Sequence, residues 1–239
     1  MLGGGEQHLA DPVDLLGAFL DHDPWEGIAA LKQTLPGAAG IAPSKAELVA
    51  YWKKVGKQAL THLARRPLKL LGNALGKPPK AVRKLDNERF WVDSVDGLSG
   101  LVEMGAVELF VANVTIDDLE RPDMLVFSVT TADTALRLRT LLQAEGLESW
   151  PKLTGGRELH VMVPIEPDLD AEEALRYSEQ LAGRLAKASI DCRYNKPGAA
   201  AIAAFSPRAL PDFPIAAPVE WPQLQRGIAP DAFTIKKRR

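Results

Sequence analysis

The chain has 239 residues, 46% of them hydrophobic and 25% charged, which is enough for the core of one large or two small globular domains. No apolar run is long enough to span a bilayer, and the first residues lack a basic segment followed by an apolar one, so we expect a cytoplasmic protein with no secretion signal and no membrane partner. The single cysteine, Cys192, excludes an intramolecular disulfide and disfavours a zinc site built on cysteines.

The N-terminal part is predicted to be a helical extension followed by a linker. A short amphipathic helix is predicted from Asp11, and residues 37–43 have the composition of a linker. Ser44 and Glu47 then have the spacing of a capping box, apolar residues recur at helical spacing as far as Leu63, and Pro67 ends the predicted helix. We therefore place an extension and linker at residues 1–43 and the start of the main domain at residue 44.

Strands and helices alternate through the rest of the main domain, residues 44–226. Strands are predicted over 68–71, 89–93, 107–111, 124–129, 159–163, 190–194 and 201–205, and helices over 96–104, 131–145 and 170–188. Pro-rich coil follows, and residues 227–239 are predicted to be a basic C-terminal tail. Because no strict βαβ period is present, the pattern favours an α+β fold, with a mixed or antiparallel central sheet flanked by helices.

The net charge of −2 conceals a basic block between Lys45 and Arg89. This block holds twelve Lys and Arg against three Asp and Glu, a net charge of +9, so the rest of the chain is acidic. A basic block of this kind indicates a phosphate-rich partner on one face. Basic residues that only solvate an exposed helix produce the same pattern, and both interpretations stay open.

Several stretches resemble, in the same order, the polymerase domain of bacterial ATP-dependent DNA ligase D. They are SKAELVAYWKKVGKQALTHLARRPLKL, GLSGLVEMGAVEL, ERPDMLVF, KLTGGRELHVMVPI, DCRYN and AAFSPRALPDFPIAAPVEW, which lie within residues 44–222. The resemblance implies a domain like the archaeo-eukaryotic primases. It also implies nucleotidyl transfer with Mg²⁺ or Mn²⁺, and a role in joining broken DNA ends.

The resemblance assigns binding roles to two groups of residues. KLTGGRELH is similar to the family motif K-T-S-G-G-K-G-L-H, and a Gly-rich turn lets backbone N–H groups approach phosphate oxygens. The implied nucleotide-binding residues are Lys152, Thr154, Gly155, Gly156, Arg157, His160, Asn195, Ser206 and Arg208. The implied DNA-binding residues are Lys45, Lys53, Lys57 and Arg66. A Gly-Gly pair alone more often marks a tight hairpin, and a lone histidine beside an apolar strand is more often structural.

The departures from the family pattern concentrate at its metal site. The two carboxylate positions of the D-x-D motif are Ser128 and Thr130 here, so Asp191 is the only one of the three metal carboxylates that remains. Mg²⁺ and Mn²⁺ prefer carboxylate oxygens, and we expect Asp191 alone to bind a metal weakly. Phe110 also replaces a histidine of the family, and Gly72 replaces an arginine.

Two other acids, Asp123 and Asp133, are candidates for replacement ligands. Asp123 lies at the entry of a predicted strand. Asp133 lies in the first turn of a predicted helix, where a carboxylate interacts favourably with the helix dipole. We favour these structural interpretations for both residues.

Three functions remain open. The first is a catalytically impaired module that binds DNA ends or nucleotides in non-homologous end joining. The second is an active, metal-dependent primase-polymerase with an altered metal site. The third is a protein-interaction subunit that contacts a ligase or Ku-type end-joining proteins.

We expect no tightly bound cofactor, with Mg²⁺ or Mn²⁺ used only if the protein is active. Since Ser128 and Thr130 share one face of a strand, we also expect both to lie beside Asp191 in a single cleft.

Overall fold

The computed structural model describes residues 43–71, 77–185 and 188–235. The predicted extension up to residue 42, Gly72 and the last four residues of the basic tail lie outside these described residues. Within the described ranges, no helix has the length and apolar character that crossing a bilayer requires.

The described residues form an α+β fold with two antiparallel sheets. The helices are α1 (Lys45–Leu63), α2 (Val95–Glu103), α3 (Ala132–Ala144), α4 (Ala171–Gly183) and α5 (Trp221–Gln225). The strands are β1 (Leu68–Leu71), β2 (Arg83–Lys84), β3 (Arg89–Trp91), β4 (Glu108–Val111), β5 (Met124–Val129), β6 (Trp150–Leu153), β7 (Leu159–Pro164), β8 (Ile190–Asp191), β9 (Ala201–Ile202) and β10 (Ala217–Pro218). Sheet A has the order β2-β3-β1-β4-β9, and sheet B has the order β10-β6-β7-β5-β8. The predicted α+β class is confirmed, with two sheets where one central sheet was expected.

The first core lies between sheet A and helices α1 and α2. The capping box predicted at the start of α1 is present, since Ser44 Oγ accepts from the Glu47 N–H at 3.2 Å and the Glu47 carboxylate accepts from the Ser44 N–H at 2.8 Å. The apolar stripe of α1, including Leu48, Trp52 and Val55, is buried in this core. Helix α1 therefore keeps its charged side chains on the outer face.

The second core covers one face of sheet B. Leu125, Phe127 and Val129 of β5 pack there with residues of helices α3, α4 and α5. Because side chains alternate along a strand, Val126 and Ser128 point to the opposite face. That opposite face is turned towards sheet A, since the Lys152 ammonium of β6 donates to the Ile202 carbonyl of β9 at 2.6 Å.

Several local predictions need correction, and the strands predicted over 89–93 and 201–205 are shorter, Arg89–Trp91 and Ala201–Ile202. The strand predicted over 190–194 ends at Asp191, because the Asp191 carboxylate accepts from the Arg193 N–H at 2.7 Å and a 3₁₀ turn, Arg193–Asn195, follows. The helix predicted over 170–188 ends at Gly183. The region predicted as Pro-rich coil contains β10 and α5. Helix α5 tolerates Pro222 because a proline in the first helical turn gives up no intrahelical hydrogen bond.

Candidate functional site

The candidate site lies at the end of β5, where three strands of sheet B meet. Ser128 stands opposite His160 of β7 on one side and opposite Asp191 of β8 on the other. Ser128 is buried, whereas the Asp191 side chain is 44% exposed. The predicted adjacency of Ser128 and Asp191 is therefore confirmed. Thr130 lies exposed just beyond the end of β5, outside its pairing with β8.

Three residues that the sequence analysis did not single out complete this cleft: Glu158, Arg193 and Tyr194. The Arg193 guanidinium contacts two carboxylates, with Nη2 at 2.5 Å from Glu158 Oε1 and Nε at 2.9 Å from Asp191 Oδ2. The Tyr194 hydroxyl donates to Glu158 Oε2 at 3.2 Å. Glu158 stands where the motif K-T-S-G-G-K-G-L-H has its last glycine, a signal that the sequence did contain. Nothing in the sequence indicated that Arg193 would also pair with Glu158, 35 residues away.

At neutral pH the acid of the cleft, Glu158, is charged, and the histidine, His160, is neutral. The contact with His160, the charge of Arg193 and the Ser128 hydroxyl lower the pKa of Glu158 to about 2, although burial opposes the shift, so this carboxyl is ionised. Burial lowers the pKa of His160 to about 4, although Glu158 opposes this shift, so the imidazole is neutral.

The buried His160 side chain faces Glu158 at more than the length of a normal hydrogen bond. Its Nε2 lies 3.8 Å from Glu158 Oε2, which is too long for a hydrogen bond, and neither ring nitrogen has a partner within the described residues. The ring packs against Tyr194, with ring centroids 4.8 Å apart. A buried, neutral and unpartnered imidazole keeps a nitrogen lone pair available to a ligand.

The Gly155-Gly156 turn between β6 and β7 packs against the Arg208 side chain. The Arg208 guanidinium donates to the Thr154 carbonyl at 2.7 Å and to the buried Glu108 carboxylate at 3.1 Å. Gly155 has a φ of +73°, and a Cβ at this position would lie 3.0 Å from Arg208 Cγ. The charge of Arg208 is therefore balanced by Glu108, while Arg157 is exposed beside the turn.

Two other residues with predicted nucleotide roles are bonded to the protein itself. The Asn195 amide accepts from the Val126 N–H at 2.8 Å, donates to the Val126 carbonyl at 3.0 Å and accepts from Asn113 at 3.1 Å. Ser206 is fully buried, and its hydroxyl accepts from the Leu109 N–H at 2.9 Å. The structure thus places both in contacts that join β5 and β4 to their neighbours.

The residues predicted to bind DNA fall into two classes. Lys53 and Lys57 are exposed, one turn apart on α1. Lys45 donates to the Glu103 carbonyl at the end of α2, at 2.8 Å. Arg66 forms a bidentate ion pair with Asp123, both contacts being 2.6 Å. This ion pair also supports the structural interpretation of Asp123.

Most of the chain matches a known protein family. The family described as "LigD, primase-polymerase domain" matches residues 77–239, more than half of the chain. The chain belongs to this family.

The LigD relatives are much longer proteins. The multifunctional non-homologous end joining protein LigD of Pseudomonas aeruginosa is 28% identical over 156 residues, which are 54% of this chain and 18% of that protein. The bifunctional non-homologous end joining protein LigD of Bacillus subtilis is 26% identical over 141 residues, which are 51% of this chain and 22% of that protein. The matched part thus spans about a fifth of each relative's length.

A solved LigD structure has the same fold. The polymerase domain of Mycobacterium tuberculosis ligase D, in complex with DNA, matches with a TM-score of 0.67 at 20% identity. The match covers 81% of this chain and 86% of that chain. The predicted primase-like architecture is therefore confirmed.

The residues of the cleft do not fit the two divalent ions that the family implies. Such a centre needs several carboxylate oxygens arranged around both ions. Here Ser128 supplies a neutral hydroxyl, and the carboxylates of Asp191 and Glu158 are both paired with Arg193. In the part of the chain that the structure describes, no three His, Cys, Asp or Glu residues are placed to hold a metal ion.

Proposed function

We propose that this LigD-type domain binds DNA ends or nucleotides in bacterial non-homologous end joining and is catalytically impaired. The observation that carries the proposal is the composition of the cleft, where Ser128 faces Asp191 and the remaining carboxylate oxygens contact Arg193. Two-metal nucleotidyl transfer requires the attacking and the leaving oxygen to be clamped by cations that the protein aligns. A hydroxyl and an ion-paired carboxylate are poor ligands for hard cations.

Binding is supported by side chains that lie away from the cleft. Lys53 and Lys57 on α1 and Arg157 beside the Gly-rich turn are exposed cations. Exposed lysine and arginine bind phosphate mainly through charge, which does not depend on the metal ligands. A LigD polymerase domain of the same fold has been solved in complex with DNA, which makes DNA the partner to test first.

A primer-extension assay and a binding assay on the same preparation test the proposal. We expect no nucleotide incorporation with Mg²⁺ or Mn²⁺. By fluorescence anisotropy, we expect affinity for duplex or recessed-end DNA to fall steeply as salt is raised. Metal-dependent incorporation that disappears in Asp191→Ala would overturn the catalytic impairment. Failure to bind any DNA end at low salt would overturn DNA binding and favour a protein-interaction subunit.

A further inference from the structure

Asp191 and Glu158 lie beside the end of β5, and each of their four carboxylate oxygens contacts a donor of one short segment, Arg193 and Tyr194. The Asp191 oxygens accept from the backbone N–H and the Nε of Arg193, at 2.7 and 2.9 Å. The Glu158 oxygens accept from Arg193 Nη2 and from the Tyr194 hydroxyl, at 2.5 and 3.2 Å. A divalent ion that approached either carboxylate would therefore meet the positive charge of the guanidinium, which opposes its binding.

The arginine is held at this point by several contacts. Its own backbone N–H is bonded to Asp191, which fixes the start of the 3₁₀ turn. Its guanidinium carbon lies 5.3 Å from the centre of the Tyr194 ring, a cation–π distance. The guanidinium keeps its charge throughout the physiological pH range, so a change of pH does not release it.

We propose that Arg193 is a resident cation of the cleft, which satisfies Asp191 and Glu158 in place of a divalent metal ion and so prevents metal binding there. This inference rests on the proposed function, because it names the cause of the catalytic impairment. With Arg193 present, one cation balances two carboxylates. Without it, the carboxylates of Asp191 and Glu158 would lose their shared counter-charge, and carboxylate oxygens are the ligands that Mn²⁺ prefers.

Manganese binding measured by electron paramagnetic resonance tests this inference without using activity. Free Mn²⁺ gives a signal that is lost on binding. We expect the wild type to show no saturable site at low millimolar Mn²⁺, whereas Arg193→Ala gains one, with an apparent affinity at least about tenfold above the residual Mn²⁺ binding of the wild type. Glu158→Ala in the Arg193→Ala background should abolish the gained site.

The chain offers a matched control in Arg184. Its side chain is 51% exposed and pairs with Glu145, which is 31% exposed; the values for Arg193 and Glu158 are 51% and 32%. Arg184→Ala removes the same charge and also frees a carboxylate, and we expect it to behave as the wild type. If Arg193→Ala does not fold by circular dichroism, Arg193→Gln gives the same test, because it removes the charge and keeps a polar side chain.

Two outcomes would overturn the inference. One is a saturable Mn²⁺ site in the wild type as strong as that in Arg193→Ala. The other is a folded Arg193 variant that gains no site beyond that of Arg184→Ala. Neither outcome requires primer extension, so the inference can fail while the wild type still binds DNA and extends nothing. Primer extension by the wild type would instead reject the proposed function.

Discussion

Lys152 shows how burial changes what a side chain does. Its chemistry and its place beside the Gly-rich turn predict a cation for nucleotide phosphates. In the structure the side chain is fully buried, its amine donates to the Ile202 carbonyl at 2.6 Å, and burial together with the charge of Arg208 lowers its pKa to about 7. Near neutral pH the amine is therefore only partly charged, and its contact links the two sheets.

This buried amine predicts a pH-dependent stability. In the unfolded chain the lysine keeps its proton up to a pKa of 10.5, whereas in the folded protein it loses the proton near pH 7. Between these values the unfolded state binds more protons, so the free energy of unfolding should rise with pH, by at most about 1.4 kcal/mol per pH unit. Urea denaturation of the wild type and Lys152→Met, from about pH 7 to about pH 9, should show this rise in the wild type alone. Equal slopes in the two proteins would mean that the amine titrates normally.

At the scale of an element, the turn between β6 and β7 combines an unusual backbone conformation with a close approach. Gly155 adopts a positive φ, and Arg208 and Pro214 lie next to the position that a Cβ would take. The Thr154 hydroxyl closes the turn by donating to the Glu158 carbonyl at 2.6 Å. The turn thereby connects the Gly-rich motif directly to the residue that pairs with Arg193.

Alanine at Gly155 should destabilise the domain through both features. The positive φ costs about 1 kcal/mol for a side-chain-bearing residue. Displacing Arg208 should add roughly 1–3 kcal/mol. Gly146 is the control, because its φ is +74° and nothing lies within 4 Å of a Cβ built on it. We expect Gly155→Ala to lose more stability than Gly146→Ala in urea denaturation, and equal losses would show that Arg208 adapts without cost.

On the scale of the whole molecule, the basic block is only partly available to a partner. Arg65, Arg66 and Arg89 form ion pairs with Asp117, Asp123 and Asp86, so their charges are balanced within the protein. Lys53 and Lys57 remain exposed on the outer face of α1. The two open interpretations of the block therefore apply to different residues, with structural pairing for these arginines and a candidate phosphate contact for the lysines.

Charge reversal on α1 tests whether its exposed lysines contact DNA phosphates. Lys53→Glu with Lys57→Glu should weaken DNA binding and lower the slope of log affinity against log salt by about two, one for each lost phosphate contact. Arg176→Glu with Arg226→Glu is the control, because it makes the same change in net charge at two exposed positions outside the block. Anisotropy titrations at several salt concentrations measure both pairs. The same loss in both would show that net charge acts, and not a surface on α1.

The sequence alone was sufficient for the features that depend on near neighbours. The strands predicted over 68–71 and 124–129 have these bounds in the structure, and the Ser44 capping box is present. Hydrophobic periodicity, caps and turn residues act over a few positions, so a single sequence contains them. The ordered motifs also sufficed for the family. The 3₁₀ turn after Asp191, Arg193–Asn195, was missed.

Only the tertiary structure decided which side chains are available at the site. Arg193 and Glu158 lie 35 residues apart, and Lys152 and Ile202 lie 50 apart, and each pair meets only because strands of the sheets bring it together. Residue types at one end of β5 predicted a weakened metal site, but they contained no information that one guanidinium would pair with Glu158 as well as with Asp191. Charge balance in a folded cleft is set by all the groups that meet there, and long-range pairing of strands determines that set.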